Sequence, residues 1–414
     1  MMILFIEGNR VKSIVKYCFA ILLVVLSSNG FIYGQKINID ILKAKALRDS
    51  NNDIGAINLL SNAIDAEEKA VLYLERAEVY ISLGEYDKAI KDLELANIME
   101  PGIADFALAR SFSLKGEAAP AISFLEKNMN SDYKVREKEV LLEKDFNGIA
   151  STPEWKQFIR KDWYSSKETS ISEIEYYISL GRTGEATEIL NKLKNGYPED
   201  RKLLYFEGLI QYVDGNYNKA MAILAPLVDA EPYNVDFLSL LANAGFAAGN
   251  YSVAAKNYRD LMEIDASNAA NLLKLAECHN ELLDYDRAIS YVEIYLSLYP
   301  SNPIALNLAG MVERASGDYA MALRYFSRCL DESNDKPQFY NDRADTYFML
   351  KSWELAANDY GMALDLEPGN AGNWLNKGIA HLNIQQTEMG CYCLKMAQKM
   401  GEERSLPLLE KNCD

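Results

Sequence analysis

A proline returns along this chain at a fixed phase. Tyr197-Pro198, Glu231-Pro232, Tyr299-Pro300 and Glu367-Pro368 each close an apolar stretch, and successive members stand 34 or 68 residues apart. Glycine-x-tyrosine turns keep the same phase at Gly215 and Tyr217, Gly249 and Tyr251, and Gly317 and Tyr319. Three residues after each tyrosine comes Ala220, Ala254 or Ala322, and Ala288 and Ala356 hold that phase where the glycine is missing. Gly84, Tyr86, Ala89, Leu93, Ala96 and Pro101 extend the pattern upstream. A strict period of this length means that each unit buries its apolar face only against its neighbours. Glycine relieves a tight turn and proline cannot continue a helix. A small residue at a helix crossing avoids an overpacking cost of about 1–3 kcal/mol. The expectation is an all-α chain built from stacked repeats.

On these residues the chain resembles the tetratricopeptide repeat (TPR) family, in the form found in exported bacterial envelope proteins. The resemblance implies an α-solenoid, or superhelix, of antiparallel helix pairs, with repeats beginning near 37, 70, 102, 167, 201, 235, 269, 303, 337 and 371. It also implies that the first helices of successive repeats line a groove. Mapped onto this sequence, the groove takes Tyr205 and Tyr212, then Asn243 and Phe246, then Lys274 and Glu277. Asn307 and Arg314 follow, and after them Asn341 and Asp345. Mixed amide, aromatic and charged side chains suit an extended peptide, whose backbone groups the amides can satisfy. The carboxylate clamp of some relatives is not expected: Asn243 meets one of its requirements, but Ser239, Lys274, Ile304 and Leu308 occupy the others.

Residues 129–166 break the period and separate N-terminal repeats, 35–128, from the main array, 167–402. The stretch 131–146 reads as a charged helix, and Thr152 caps a second helix running from Pro153 to Tyr164. Trp155, Trp163 and Tyr164 either pack on neighbouring repeats or protrude as an aromatic docking contact, since aromatics dominate binding hot spots. Residues 403–414 are expected to form a capping helix. There the family resemblance implies a disulfide between Cys391 and Cys413, with Cys393 as the competing partner.

The N-terminus orders its residues as an export signal does. Arg10, Lys12 and Lys16 precede the apolar run 17–26, and small Gly34 stands before Gln35, so 1–34 is expected to be a cleaved signal peptide. Such a short run falls below the roughly 20 residues that span a bilayer. The chain is thus expected to be periplasmic or envelope-associated, with membrane contact only through a partner or an uncleaved signal. A retained N-terminal anchor is the alternative.

Chemistry is harder to find than architecture. The formal charge of −17 opposes nucleic acid, which needs a basic stripe. The two histidines, His279 and His381, fall at packing positions, and no zinc spacing, glycine-rich phosphate loop or nucleophile motif occurs. No catalytic residue, cofactor or metal is expected. The leading expectation is a scaffold or adaptor for other proteins or peptides. The alternative is a structural spacer docked through 129–166, and an enzyme using the groove stands far behind.

Overall fold

The computed structural model describes residues 29–264 and 268–413, with side chains from residue 39 onward. The expected export signal lies outside these residues as far as position 28.

Most of the described α-helices form pairs, the second helix following the first across a short turn. The first pairs are α1 (Asn29–Asp49) with α2 (Asp53–Ala66), α3 (Ala70–Ser82) with α4 (Tyr86–Met99), and α5 (Asp105–Leu114) with α6 (Ala118–Met129). Two short helices, α7 (Glu137–Leu142) and α8 (Pro153–Phe158), then interrupt the series. It resumes with α9 (Ser166–Ser179) and α10 (Thr183–Gly196), α11 (Arg201–Val213) and α12 (Tyr217–Ala230), and α13 (Val235–Ala247) and α14 (Tyr251–Ile264). Next come α15 (Ala270–Glu281) and α16 (Tyr285–Leu298), α17 (Pro303–Ser316) and α18 (Tyr319–Glu332), and α19 (Pro337–Met349) and α20 (Trp353–Leu366). The last are α21 (Ala371–Asn383) and α22 (Thr387–Lys399), followed by α23 (Leu406–Asn412). The expected all-helical tandem of antiparallel pairs is what forms, and from 70 onward the first helices start within a few residues of the expected repeat starts.

Local chemistry explains the punctuation. Asn302 accepts a hydrogen bond from the Ala305 amide ahead of Pro303, and Asp200 accepts one from Leu203, so both helices start on a side-chain cap. The turn inside each pair needs one residue in the left-handed region. Gly84, Gly116, Gly181, Gly215, Gly249 and Gly317 supply it, and where glycine is absent Asn51, Leu283, Lys351 and Gln385 are held there at φ of 56–63°. Five residues after each of these the two helices meet on a small side chain. Ala56, Ala89, Ala121, Ala186, Ala220, Ala254, Ala288, Ala322 and Ala356 all have no exposed surface. Glycine in the first helix lets a larger side chain ride across it: a Cβ on Gly310 would stand 2.5 Å from the Phe326 ring, and one on Gly208 would stand 2.9 Å from Leu224.

The described residues form two compact units, 29–244 with 260–264 and 268, and 245–259 with 269–413. Within each unit, the first helices of neighbouring pairs also touch: α1 with α3 and α9 with α11 in one, α15 with α17 and α17 with α19 in the other. They thereby share one face of the layer.

The interruption is less helical than expected. Of 131–146 only α7 is α-helical, because the buried Asn128 side chain donates to the Tyr133 carbonyl and accepts from the Val135 amide, wrapping the chain around itself. Thr152 caps α8 as expected, accepting from the Trp155 amide. Yet α8 stops at Phe158, not Tyr164, because the Trp163 indole folds back and donates to the Phe158 carbonyl at 2.9 Å.

Candidate functional site

In the first unit the shared face of the first helices carries a cleft of about 520 Å3. Helix α11 supplies Lys202, Tyr205, Phe206 and Leu209, and α13 with the turn before it supplies Glu231, Asn234, Asp236 and Phe237. Glu175 comes from α9, and Arg136 from the residue that precedes α7. The Tyr205 ring stands 5.7 Å from Phe237 and edge-on to Phe206 at 5.3 Å, giving an aromatic wall. Burial, with Asp236 and Glu175 adding to it, pushes the Tyr205 phenol up to about 12. It therefore keeps its proton at neutral pH and is available both to donate and to accept. Arg136 donates to Glu175 at 3.2 Å and Lys138 to the same carboxylate at 2.5 Å, while Arg201 pairs with Glu231 at 2.7 Å. Lys202 and Asp236 stand exposed on the rim. Tyr212 lies one turn beyond the cleft on α11, half-buried against Tyr217 at 5.6 Å.

In the second unit the expected groove residues divide into surface and scaffolding. Lys274 bonds Glu277 at 2.8 Å and lies 4.4 Å over the Phe246 ring, so these three form one half-buried cluster. Asn307 is a correction. It is only 7% exposed and donates to Asp342 at 3.0 Å, because its helix faces α19 at that point and not open solvent. Arg314 is likewise engaged, donating to the Asp342 carbonyl at 2.9 Å and to its carboxylate at 3.1 Å. Both hold α17 to α19. Asn341 accepts from Asn373 at 2.8 Å and stays half-exposed, and Asp345 accepts from the Tyr360 hydroxyl at 2.6 Å. Burial raises the Asp345 carboxyl, against the lowering effect of Tyr360 and Arg314. Asn243 lies half-buried on α13 in the first unit.

The three docking candidates pack inward to different depths, Trp155 buried and Trp163 and Tyr164 partly so. Trp155 is 8% exposed and packs on Phe146 and Phe158 in a core that also holds Ala109, Leu125 and Ile149. Trp163 stacks on Phe158 at 5.0 Å, and the Tyr164 hydroxyl donates to the Val135 carbonyl at 3.1 Å. These rings are the core of the interruption, drawn inward by apolar area and by the polar partners their N–H and O–H groups find there. What repeat spacing did not reveal is that Arg136 closes one end of the cleft, since that residue belongs to no repeat.

Cys391 is bonded to Cys413, with Cα atoms 5.6 Å apart, and Cys278, Cys329 and Cys393 are buried thiols. Burial pushes Cys278 and Cys329 up to about 12. His279 is buried and stacks on Tyr291, and burial lowers its pKa against the pull of Asp284. Among the described residues no cluster of His, Cys, Asp and Glu is placed to hold a metal. None of their helices is long and apolar enough to cross a membrane.

The folded pattern defines a class, helix-pair repeat proteins, and the comparisons give the repeat. Models of the tetratricopeptide repeat match residues 70–100, 239–303 and 307–371. Over these segments the chain is similar to the tetratricopeptide repeat, and its fold is a tetratricopeptide-type array of antiparallel helix pairs; proteins with that repeat bind other proteins and peptides. BBSome complex member BBS4 of Bos taurus is 22% identical over 227 residues, 54% of this chain and 44% of that protein. Human tetratricopeptide repeat protein 7B is 26% identical over 105 residues, 25% of this chain and 12% of that one. The chain thus spans less than half the length of these curated relatives. Among solved structures, a tetratricopeptide repeat protein from Parabacteroides merdae aligns at a TM-score of 0.48 and 21% identity, covering 60% of this chain and 98% of that one.

Proposed function

We propose that this chain is a scaffold that holds an extended segment of a partner protein along its first-helix face, anchored at the Tyr205 cleft. The observation that carries this reading is the cleft itself. It pairs an aromatic wall with a protonated phenol for which no hydrogen-bond partner occurs among the described residues, beside the ion pairs Arg136–Glu175 and Arg201–Glu231. Pockets that combine apolar walls with a few placed polar groups are what side-chain recognition requires. A volume of about 520 Å3 suits one or two side chains of a peptide. The membership of one relative in a multiprotein complex, as its name states, agrees with a scaffold role.

We place this scaffold in an exported compartment, periplasm or envelope. The basic-then-apolar order of 10–26 supports that, and so does a disulfide, which persists in oxidising surroundings. Fractionation of cells, with N-terminal sequencing of the mature chain, tests it; a cytosolic chain beginning upstream of Gly34 would overturn it.

The binding test uses a photo-cross-linking residue placed singly at Lys202, at Leu142 and at Arg324. Partner capture from Lys202 alone is expected. Capture from Leu142 alone would move the interface to the interruption, and capture only from Arg324 would move it to the second helices of the other unit.

A further inference from the structure

Three carboxylates line the Tyr205 cleft, and two of them are met from within the chain. Glu175 accepts from Arg136 and Lys138, and Glu231 from Arg201. The third, Asp236, stands exposed in the first turn of α13, and its carboxylate has no ion-pair or hydrogen-bond partner among the described residues. Burial raises the Tyr205 phenol, and of the charged groups Asp236 adds most to that, ahead of Glu175 and against Arg136. Phe206 and Phe237 are buried, so Tyr205 is the ring of the aromatic wall with surface left to offer.

Elsewhere in the chain a ring beside a carboxylate holds a cation. Arg182 lies 4.9 Å from the Tyr177 ring centre and donates to Glu185 at 2.6 Å. Lys134 lies 4.7 Å from that of Tyr164 and donates to Glu168 at 2.7 Å. Lys274 fills the same place between Phe246 and Glu277. The cleft repeats the ring and the carboxylate, yet among the described residues no Lys or Arg is placed over Tyr205.

We propose that the cleft takes an arginine side chain of the partner segment, its guanidinium over the Tyr205 ring and paired with Asp236. This rests on the reading of the cleft as the partner's anchor. A guanidinium suits the site better than an ammonium, because its plane stacks on a ring while its edge donates two parallel hydrogen bonds to a carboxylate. A cation over an aromatic face is drawn by the ring's quadrupole as well. The Tyr205 hydroxyl stays free for the segment's backbone. At longer range the formal charge of −17 favours a basic segment.

The test replaces Tyr205 by 3-fluorotyrosine in the full chain and follows the fluorine resonance during titration with acetylated, amidated Ala-Ala-X-Ala-Ala. With arginine at X the shift should saturate. Citrulline has the same shape without the charge and should bind roughly tenfold more weakly, as loss of charge-assisted hydrogen bonds implies. Lysine should fall between the two. Asp236→Asn should weaken arginine binding by roughly tenfold with the helical circular dichroism unchanged, and Asp236→Glu should retain it. Equal binding of arginine and citrulline would overturn the proposal, and so would preference for lysine, glutamate or phenylalanine at X. Partner capture from the cross-linker at Lys202 that survives Asp236→Asn would overturn this inference and keep the cleft as anchor. No capture from Lys202 would overturn the anchor itself.

Discussion

Arg343 grips Asp359 with two parallel hydrogen bonds, Nε to Oδ2 at 2.7 Å and Nη2 to Oδ1 at 2.9 Å, across the pair α19 and α20. Its third arm reaches Ser327 on the preceding helix at 3.3 Å. Arg76 makes the same contacts with Asp92, both at 2.8 Å, and with Ser61 at 2.9 Å. One device thus recurs in two repeats, tying three successive helices through a guanidinium whose fork geometry matches a carboxylate.

Removing one partner should therefore cost more than removing both. Arg343→Met strands the buried Asp359 carboxylate, and a broken buried pair costs about 3–5 kcal/mol. The low end is expected, because 21% of the Arg343 side chain stays in water. Arg343→Met with Asp359→Leu should recover most of that loss in urea unfolding. A double variant no more stable than the single one would mean the pair gives net stabilisation.

Leu283 sits at φ 59° in a turn position that Gly249 and Gly317 fill in the adjacent repeats. It is 72% exposed, so its side chain contributes little packing. Left-handed backbone costs a Cβ-bearing residue roughly 1–2 kcal/mol, from which glycine's greater unfolded-state entropy subtracts up to about 1 kcal/mol. Leu283→Gly should stabilise the chain by up to about 1 kcal/mol, and Gly317→Leu should destabilise it. Urea midpoints of the two variants check both signs.

Glu168 closes the capping box at the start of α9 and accepts from Lys134 at 2.7 Å. Burial raises its carboxyl, but the bonds from Lys134 and Ser165 outweigh that and hold it at about 2. A depressed carboxyl contributes stability that is complete above its unfolded value near 4.5 and is lost as pH falls through the folded value. The gap in unfolding midpoint between the natural chain and Glu168→Gln should be constant above pH 5 or so. It should then close toward pH 2. A gap that persists at pH 2 would assign the effect to packing.

Trp155 is core and Leu142, 77% exposed, is not. Trp155→Ala should cost about 3–5 kcal/mol, and Leu142→Ala less than about 0.5 kcal/mol. Thermal unfolding of both variants distinguishes a packing role for the interruption from an aromatic contact surface. A neutral Trp155→Ala would contradict the packing described above.

The sequence by itself determined the repeat. Helix ends, turn phase and small crossing residues are local or periodic constraints, so Gly317, Pro368 and Ala322 are legible wherever they stand. Leu283 and Lys351 show the strength of that periodicity, since the turn keeps its left-handed residue even without glycine. Side-chain partners were not legible, because they depend on which residues of different helices come within about 3 Å. Asn307 falls at a groove position by period, yet Asp342 on the next pair turns it inward. Arg136 belongs to no repeat, yet Glu175 draws it to the cleft that Tyr205 walls. Trp155 is the kind of residue that docks partners or fills cores, and apolar burial against Phe146 and Phe158 decided for the core. Period determines where a helix lies and which way each position points, and only packing between elements decides whether that position meets solvent or another side chain.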